Sequence, residues 1–190
     1  MFNFRAQKVT KIEQAMFFSE EFEKRSKAKI PGEYFLGGES YLFFDRKGLI
    51  GGYSLIKHEK RTLDQIPIHA RPISLQNLDD RSTEITGYFR LPGKKPFLMV
   101  CHFLWRILKS DRSYFVYAYD KYNTKLEKIY SYGKPFRLHS GIVRNLEGMV
   151  GEHRENIEII TKWGFFLMWR DLIYRKYLMS FRALLLCNKE

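Results

Sequence analysis

The apolar positions Ile12, Ala15, Met16 and Phe22, with Ser19 among them, recur every three or four residues and so share one face of a helix over Thr10 to Lys27. Its start carries a capping-box pattern, Thr10-Lys11-Ile12-Glu13, and Pro31-Gly32 ends it. The period then shortens. Glu39 to Phe44 and Leu49 to Ile56 are β-rich runs separated by Asp45-Arg46-Lys47-Gly48, turn chemistry of hairpin length that predicts an antiparallel pair. Gly51 and Gly52 weaken the second strand unless a bulge or a close backbone neighbour requires them. Lys57 to Ser82 is polar, holds Pro67 and Pro72, and is too long for a plain connector, so a partly helical or pocket-lining loop is expected there.

Thr83 to Leu91 alternates as a strand and runs into Leu91-Pro92-Gly93-Lys94-Lys95-Pro96. Pro96 suits the first turn of the apolar segment Phe97 to Lys109, read as a buried helix. Tyr114 to Tyr119 is nearly continuous in aromatic and β-branched residues, the pattern of a strand covered on both faces. A second capping box, Thr124-Lys125-Leu126-Glu127, opens a short helix carrying Leu126, Ile129 and Tyr130 that stops at Gly133 before Pro135. Phe136 to Val143 and Asn156 to Lys162 follow as strands. Trp163 to Cys187 is apolar with Arg170, Asp171, Arg175, Lys176 and Arg182 along it, a helix that either packs on the sheet or lies on a membrane or partner. This order predicts an α+β fold: one domain over residues 1–162 with a central mixed sheet flanked by helices, then a C-terminal amphipathic helix over 163–190.

Composition narrows the function classes. Lys and Arg number 33 against 21 Asp and Glu, a net charge of +12, so the surface attracts anions: nucleic acid, acidic lipid, a phosphorylated cofactor or an acidic carrier protein. The aromatic residues sit mostly in strand-like runs, which points to core packing rather than base stacking. No apolar run reaches the length of a membrane span, and the N-terminus, with Arg5, Lys8 and Lys11, lacks a secretory hydrophobic region. A cytoplasmic protein, at most peripheral to a membrane, is expected. Cys101 and Cys187 are too few for a disulfide framework, and Cys101 reads as a buried reduced thiol. The five histidines lack ligand spacing, so no metal site is expected, and His102 reads as a packed or hydrogen-bonded side chain. Nucleotide-binding loops, zinc-protease helices and nucleophile elbows are absent.

The junction Leu91 to Pro96 is the exception. A helix start presents unpaired amides and partial positive charge, so Lys94 and Lys95 beside it make a seat for phosphate or pyrophosphate.

Two stretches then resemble one family. Tyr41-Leu42-Phe43-Phe44-Asp45-Arg46-Lys47-Gly48-Leu49-Ile50-Gly51-Gly52-Tyr53 is similar to the central hairpin of the GNAT acyltransferase superfamily. Asn123-Thr124-Lys125-Leu126-Glu127-Lys128-Ile129-Tyr130 resembles that superfamily's Asn-led helix ending in a Tyr, with Gly133 and Phe136 echoing the Gly-Phe beyond it. The likeness spans Thr10 to Lys162. The superfamily's Q/R-x-x-G-x-G/A donor loop is missing at Leu91 to Pro96, and Gly133 stands one residue closer to Tyr130 than usual. Acyl-homoserine-lactone synthases and long-chain N-acyl amino acid synthases share such loosened donor loops.

The resemblance implies transfer of an acyl group from acyl-CoA or an acidic acyl carrier protein to a small-molecule or lipid-precursor amine, with no tightly bound cofactor. It implies Glu84 as base or amine-positioning group and Tyr130 as acid. Backbone amides of Gly87, Tyr88, Phe89 and Arg90 would polarise the thioester carbonyl. Gly93, Lys94, Lys95 and Asn123 would hold the donor, and Phe97 and Phe103 would line the acyl or acceptor pocket. Two other readings stand beside it: a non-enzymatic basic module binding nucleic acid or an anionic membrane surface, with nucleic acid ranked lower, and a member of the fold that has lost activity with its donor loop.

Overall fold

The computed structural model describes residues 4–26, 28–58, 60–70, 78, 80–147, 149 and 151–174. Its strands are β1 (Arg5–Lys8), β2 (Glu39–Asp45), β3 (Gly48–Ile56), β4 (Ser82–Arg90), β5 (Tyr114–Asp120), β6 (Phe136–Ile142) and β7 (Arg154–Thr161). They form one mixed sheet in the order β1-β2-β3-β4-β5-β7-β6, antiparallel throughout except for the parallel pair β4 and β5. That parallel step is the crossover through α4 (Phe97–Lys109), and the other helices are α1 (Ile12–Ser26), α2 (Gly32–Leu36), α3 (Arg61–Asp64), α5 (Thr124–Ser131) and α6 (Lys162–Ile173). This is the α+β arrangement expected from the sequence.

Strand alternation divides the helices between two faces. On β2, Leu42 packs with Phe18 of α1 and Phe35 of α2, while its neighbour Phe43 packs with Met99 and Phe103 of α4. On β5, Val116 packs with Leu63 of α3, while Phe115 and Tyr117 join the layer that holds Phe165 and Met168 of α6. Helices α1, α2 and α3 therefore lie on one face, and α4 and α6 on the other. The C-terminal segment thus begins as a helix packed on the sheet. The rest of the helix expected to reach Cys187 lies outside the described residues.

Several local expectations change. Glu13 does not reach back to the helix start as the first capping box expects; Gln14 does, its side-chain oxygen accepting from the amides of Thr10 at 2.9 Å and Lys11 at 3.3 Å. The second helix is capped one residue earlier, by Asn123, whose Oδ1 accepts from Leu126 N at 3.1 Å. Cys101 is exposed rather than buried, because α4 turns its Met99-Phe103-Ile107 side to the sheet and Cys101 lies on the opposite, also largely apolar, side. Strand β1 and helices α2 and α3 carry too few residues for a periodic signal. The glycines of β3 have the close neighbours they required: a Cβ on Gly51 would collide with the backbone oxygen of Phe89.

A candidate active site where two strands part

Only three residue pairs join β4 to β5: Ser82 with Tyr114, Thr83 with Phe115 and Glu84 with Val116. Beyond them both strands continue, β4 to Arg90 and β5 to Asp120, each still paired on its outer edge, with β3 and β7 respectively. Ile85 to Arg90 thus face Tyr117 to Asp120 across a wedge whose apex is the Glu84 pair.

A β-bulge opens the wedge. Ser54 pairs with Thr86 and Gly52 with Phe89, so three steps on β4 answer two on β3 and the strand bends. Gly87, inside the bulge, has φ +62°, and a Cβ there would come within 2.7 Å of Phe18 and 2.9 Å of Phe35. Only glycine meets both constraints. The inner edge of β4 past Glu84 has no ladder partner in β5, and peptide groups in that state need other partners.

Tyr130 stands on the α4 and α6 face of the wedge. Its ring lies 4.3 Å from that of Tyr117 and 5.2 Å from that of Tyr119. Burial, then the charges that Tyr88, Tyr119 and Glu158 bear or would bear, push its pKa up to about 12, so it keeps its proton at neutral pH. Tyr88, half-exposed on β4, packs against Phe103 of α4 at 5.5 Å between rings. Phe103 is itself core, beneath Tyr88 and against Tyr53 and Phe165, and not an open pocket wall.

Glu84 points to the opposite face, toward α2 and α3. It is 1% exposed, and its Oε2 accepts from Thr62 N at 2.9 Å. Burial raises its pKa, opposed by the hydrogen bonds from Thr62 and the Tyr34 hydroxyl. Tyr34 also accepts from Arg61 N at 2.9 Å, so one carboxylate fixes both short helices. Glu84 and Tyr130 are thus brought to the same wedge but from opposite faces of the sheet.

The donor-holding residues expected from the sequence fare unequally. Lys94 is committed elsewhere: its Nζ donates to Asp45 Oδ1 at 2.8 Å and Oδ2 at 3.0 Å, tying the junction to the β2–β3 turn. Lys95 is exposed beside α4, whose N-cap, Pro96, offers no side-chain bond to the first-turn amides. Gly93 makes the turn at φ +73°. The Phe89 ring faces away from the wedge, packed between Phe18 and the Arg25 guanidinium, while Arg90 is exposed. The Asn123 side-chain oxygen is taken up by its capping bond. Phe97 is exposed.

A buried network missed in the sequence supports Tyr130. Glu158, 3% exposed on β7, accepts from Tyr117 Oη at 3.1 Å and Tyr119 Oη at 3.0 Å, and from Arg137 Nη2 at 2.7 Å. The same Arg137 nitrogen donates to Glu127 of α5 at 3.0 Å, linking the network to the helix that carries Tyr130. The alternation Asn156-Ile157-Glu158-Ile159 reads as an ordinary half-exposed strand, so only its central place in the sheet betrays the buried carboxylate. Among the described residues no group of His, Cys, Asp or Glu is arranged to hold a metal ion. A separate cavity of about 260 Å³, lined by Asp80, Arg81, Asp111, Arg112, Ser113 and Tyr114, lies at the opposite, paired end of β4 and β5.

No protein-family model and no curated protein matches the chain. Solved structures do. FeeM, an N-acyl amino acid synthase from uncultured soil microbes, superposes with a TM-score of 0.57 at 13% identity, over 83% of this chain and 91% of that one. Spermidine N-acetyltransferase from Vibrio cholerae, in complex with CoA and spermine, gives 0.52 at 12% identity over 86% of this chain and 98% of its own. With the mixed sheet, the crossover helix and the parted pair of parallel strands, these likenesses show that the chain has the fold of the GNAT acyltransferase superfamily.

Proposed function

We propose that the protein is an N-acyltransferase whose wedge between β4 and β5 takes the pantetheine arm of an acyl thioester while an amine attacks the thioester carbonyl. The observation that carries this reading is the parting itself: two parallel strands unpaired beyond Glu84–Val116, with a protonated Tyr130 on one side and a buried carboxylate at the apex. The amine nitrogen bonds to the acyl carbon, the carbon–sulfur bond breaks with its electron pair going to sulfur, the thiolate takes a proton and the nitrogen loses one. Free β4 amides past Glu84 would stabilise the oxyanion. Tyr130 would donate to the departing sulfur. Glu84, its pKa raised by burial, would take the amine's proton from the α2 and α3 side once the acceptor displaces one of its present contacts.

The likeness to a spermidine N-acetyltransferase bound to CoA favours acyl-CoA as donor, with Lys95 and the first-turn amides of α4 receiving its phosphates. The likeness to an N-acyl amino acid synthase favours a small-molecule or lipid-precursor amine as acceptor, and the +12 charge suits an acidic acyl carrier protein as the other donor. Mass spectrometry of reactions pairing acyl-CoAs and acyl carrier protein with polyamines, amino acids and amino-headed lipid precursors tests this. An acylated amine formed by the wild type and strongly reduced in Tyr130→Phe is the expected result. Absence of transfer from every donor, or full turnover in Tyr130→Phe and Glu84→Gln alike, would overturn it.

A further inference from the structure

The helix that the sequence pattern marks as buried has an uncovered apolar side. Met99, Phe103 and Ile107 of α4 are inside, yet Phe97 is 68% exposed and Trp105 56%, with Leu98, Cys101 and Leu108 exposed on the same side. On α6 the same division holds: Phe165 and Met168 enter the core while Trp163, 67% exposed, stacks on exposed Phe166 at 5.5 Å between rings. The two helices lie on one face of the sheet, joined by the Phe103–Phe165 contact, and Lys162 at the start of α6 donates to Ser110 O just past the end of α4 at 2.7 Å. Their outer sides are therefore two exposed apolar patches on the same face of the sheet, and such patches mark an interaction site.

We propose that this α4 and α6 face docks the protein on an anionic lipid bilayer. Three observations choose that occupant. The apolar centre is edged by exposed cations: Lys95 at one end, Lys109 with its ammonium 4.9 Å from the Trp105 ring centre, and Arg170 beyond Phe166. Tryptophan and phenylalanine beside Lys and Arg is the composition of helices lying in the headgroup layer. The chain's +12 charge draws it to acidic headgroups and opposes pairing of two copies through the same face, while nucleic acid would require cations across the centre, where this face is apolar. The Phe97 end of α4 follows the strand that forms the wedge, so docking brings the wedge to the membrane surface. The inference does not depend on acyl transfer.

Flotation of the full chain with vesicles of phosphatidylcholine, alone or mixed with phosphatidylglycerol, tests it. The protein should float with the mixed vesicles about tenfold more than with neutral ones, and less as salt rises. Trp105→Glu with Phe166→Glu should cut that binding about tenfold, as should Lys109→Glu with Arg170→Glu, while Ile142→Glu, an equally exposed site on β6, should not. Sedimentation velocity and far-UV circular dichroism of each variant report whether it stays folded. Absence of binding to mixed vesicles, or binding unchanged in both folded double variants, would overturn the proposal. So would a wild-type dimer that Trp105→Glu with Phe166→Glu converts to monomer.

Discussion

Glu84 faces Val116 in the last pair that holds β4 against β5, and from that pair onward the two parallel strands diverge. The residue suggested as a base thus sits at the apex of the gap, enclosed by the elements that carry Thr62 and Tyr34.

The raised pKa of Glu84 makes stability depend on pH. The folded state holds this proton where the unfolded chain has released it, so stability falls as pH rises from the ordinary carboxylate value to the folded one, and is flat above. Glu84→Gln keeps an acceptor for the Thr62 amide and should remove that slope, which thermal melts across acid to neutral pH will show. It should also lower turnover. A purely structural Glu84 predicts the altered melt with turnover and its pH profile intact.

Tyr130→Phe deletes one hydroxyl and leaves the ring against Tyr117 and Tyr119. The expected loss in kcat is about a hundredfold with KM little changed, as for removal of a general acid. Steady-state kinetics with a fixed donor separates the two.

Gly87→Ala places a Cβ at φ +62° against Phe18 and Phe35. A cost of about 1–3 kcal/mol is expected in urea melts. Stabilisation by acyl donor should fall with it, since the bulge shapes the wedge.

Arg137→Met leaves Glu158 with only its two tyrosine donors. Stability should drop by about 1–3 kcal/mol, because a buried carboxylate loses its charged partner. Kinetics of this variant will show how far the network positions Tyr130.

Lys94 and Lys95 should separate. Lys94→Ala breaks the Asp45 bond and should barely alter donor affinity, whereas Lys95→Ala should weaken it about tenfold. Calorimetric titration with CoA checks both.

Much of this fold was legible because its signals are local. The β2–β3 hairpin, the crossover through Phe97 to Lys109 and the Tyr114 strand each announce themselves by period, and their order resembles one superfamily. The bulge amides near Gly87 were also within reach, since a strand ending in an unusual junction invites a splay. The fate of Lys94 was not: Asp45 lies 49 positions away in sequence, and only folding brings them together. Glu158 was hidden because a polar residue between two isoleucines reads as solvent-facing until the sheet order puts β7 between β5 and β6. Cys101 misled for the reverse reason, since a helix with apolar residues on opposite sides does not say which side the sheet takes.

Amide hydrogen exchange of Ile85 to Arg90, followed with and without acyl-CoA and then with acyl carrier protein, tests the central claim most directly. Donor binding in the wedge predicts slowed exchange in this edge of β4, with Lys8 to Glu13 unaffected. Exchange unchanged by either donor, at concentrations that support acyl transfer, would contradict it.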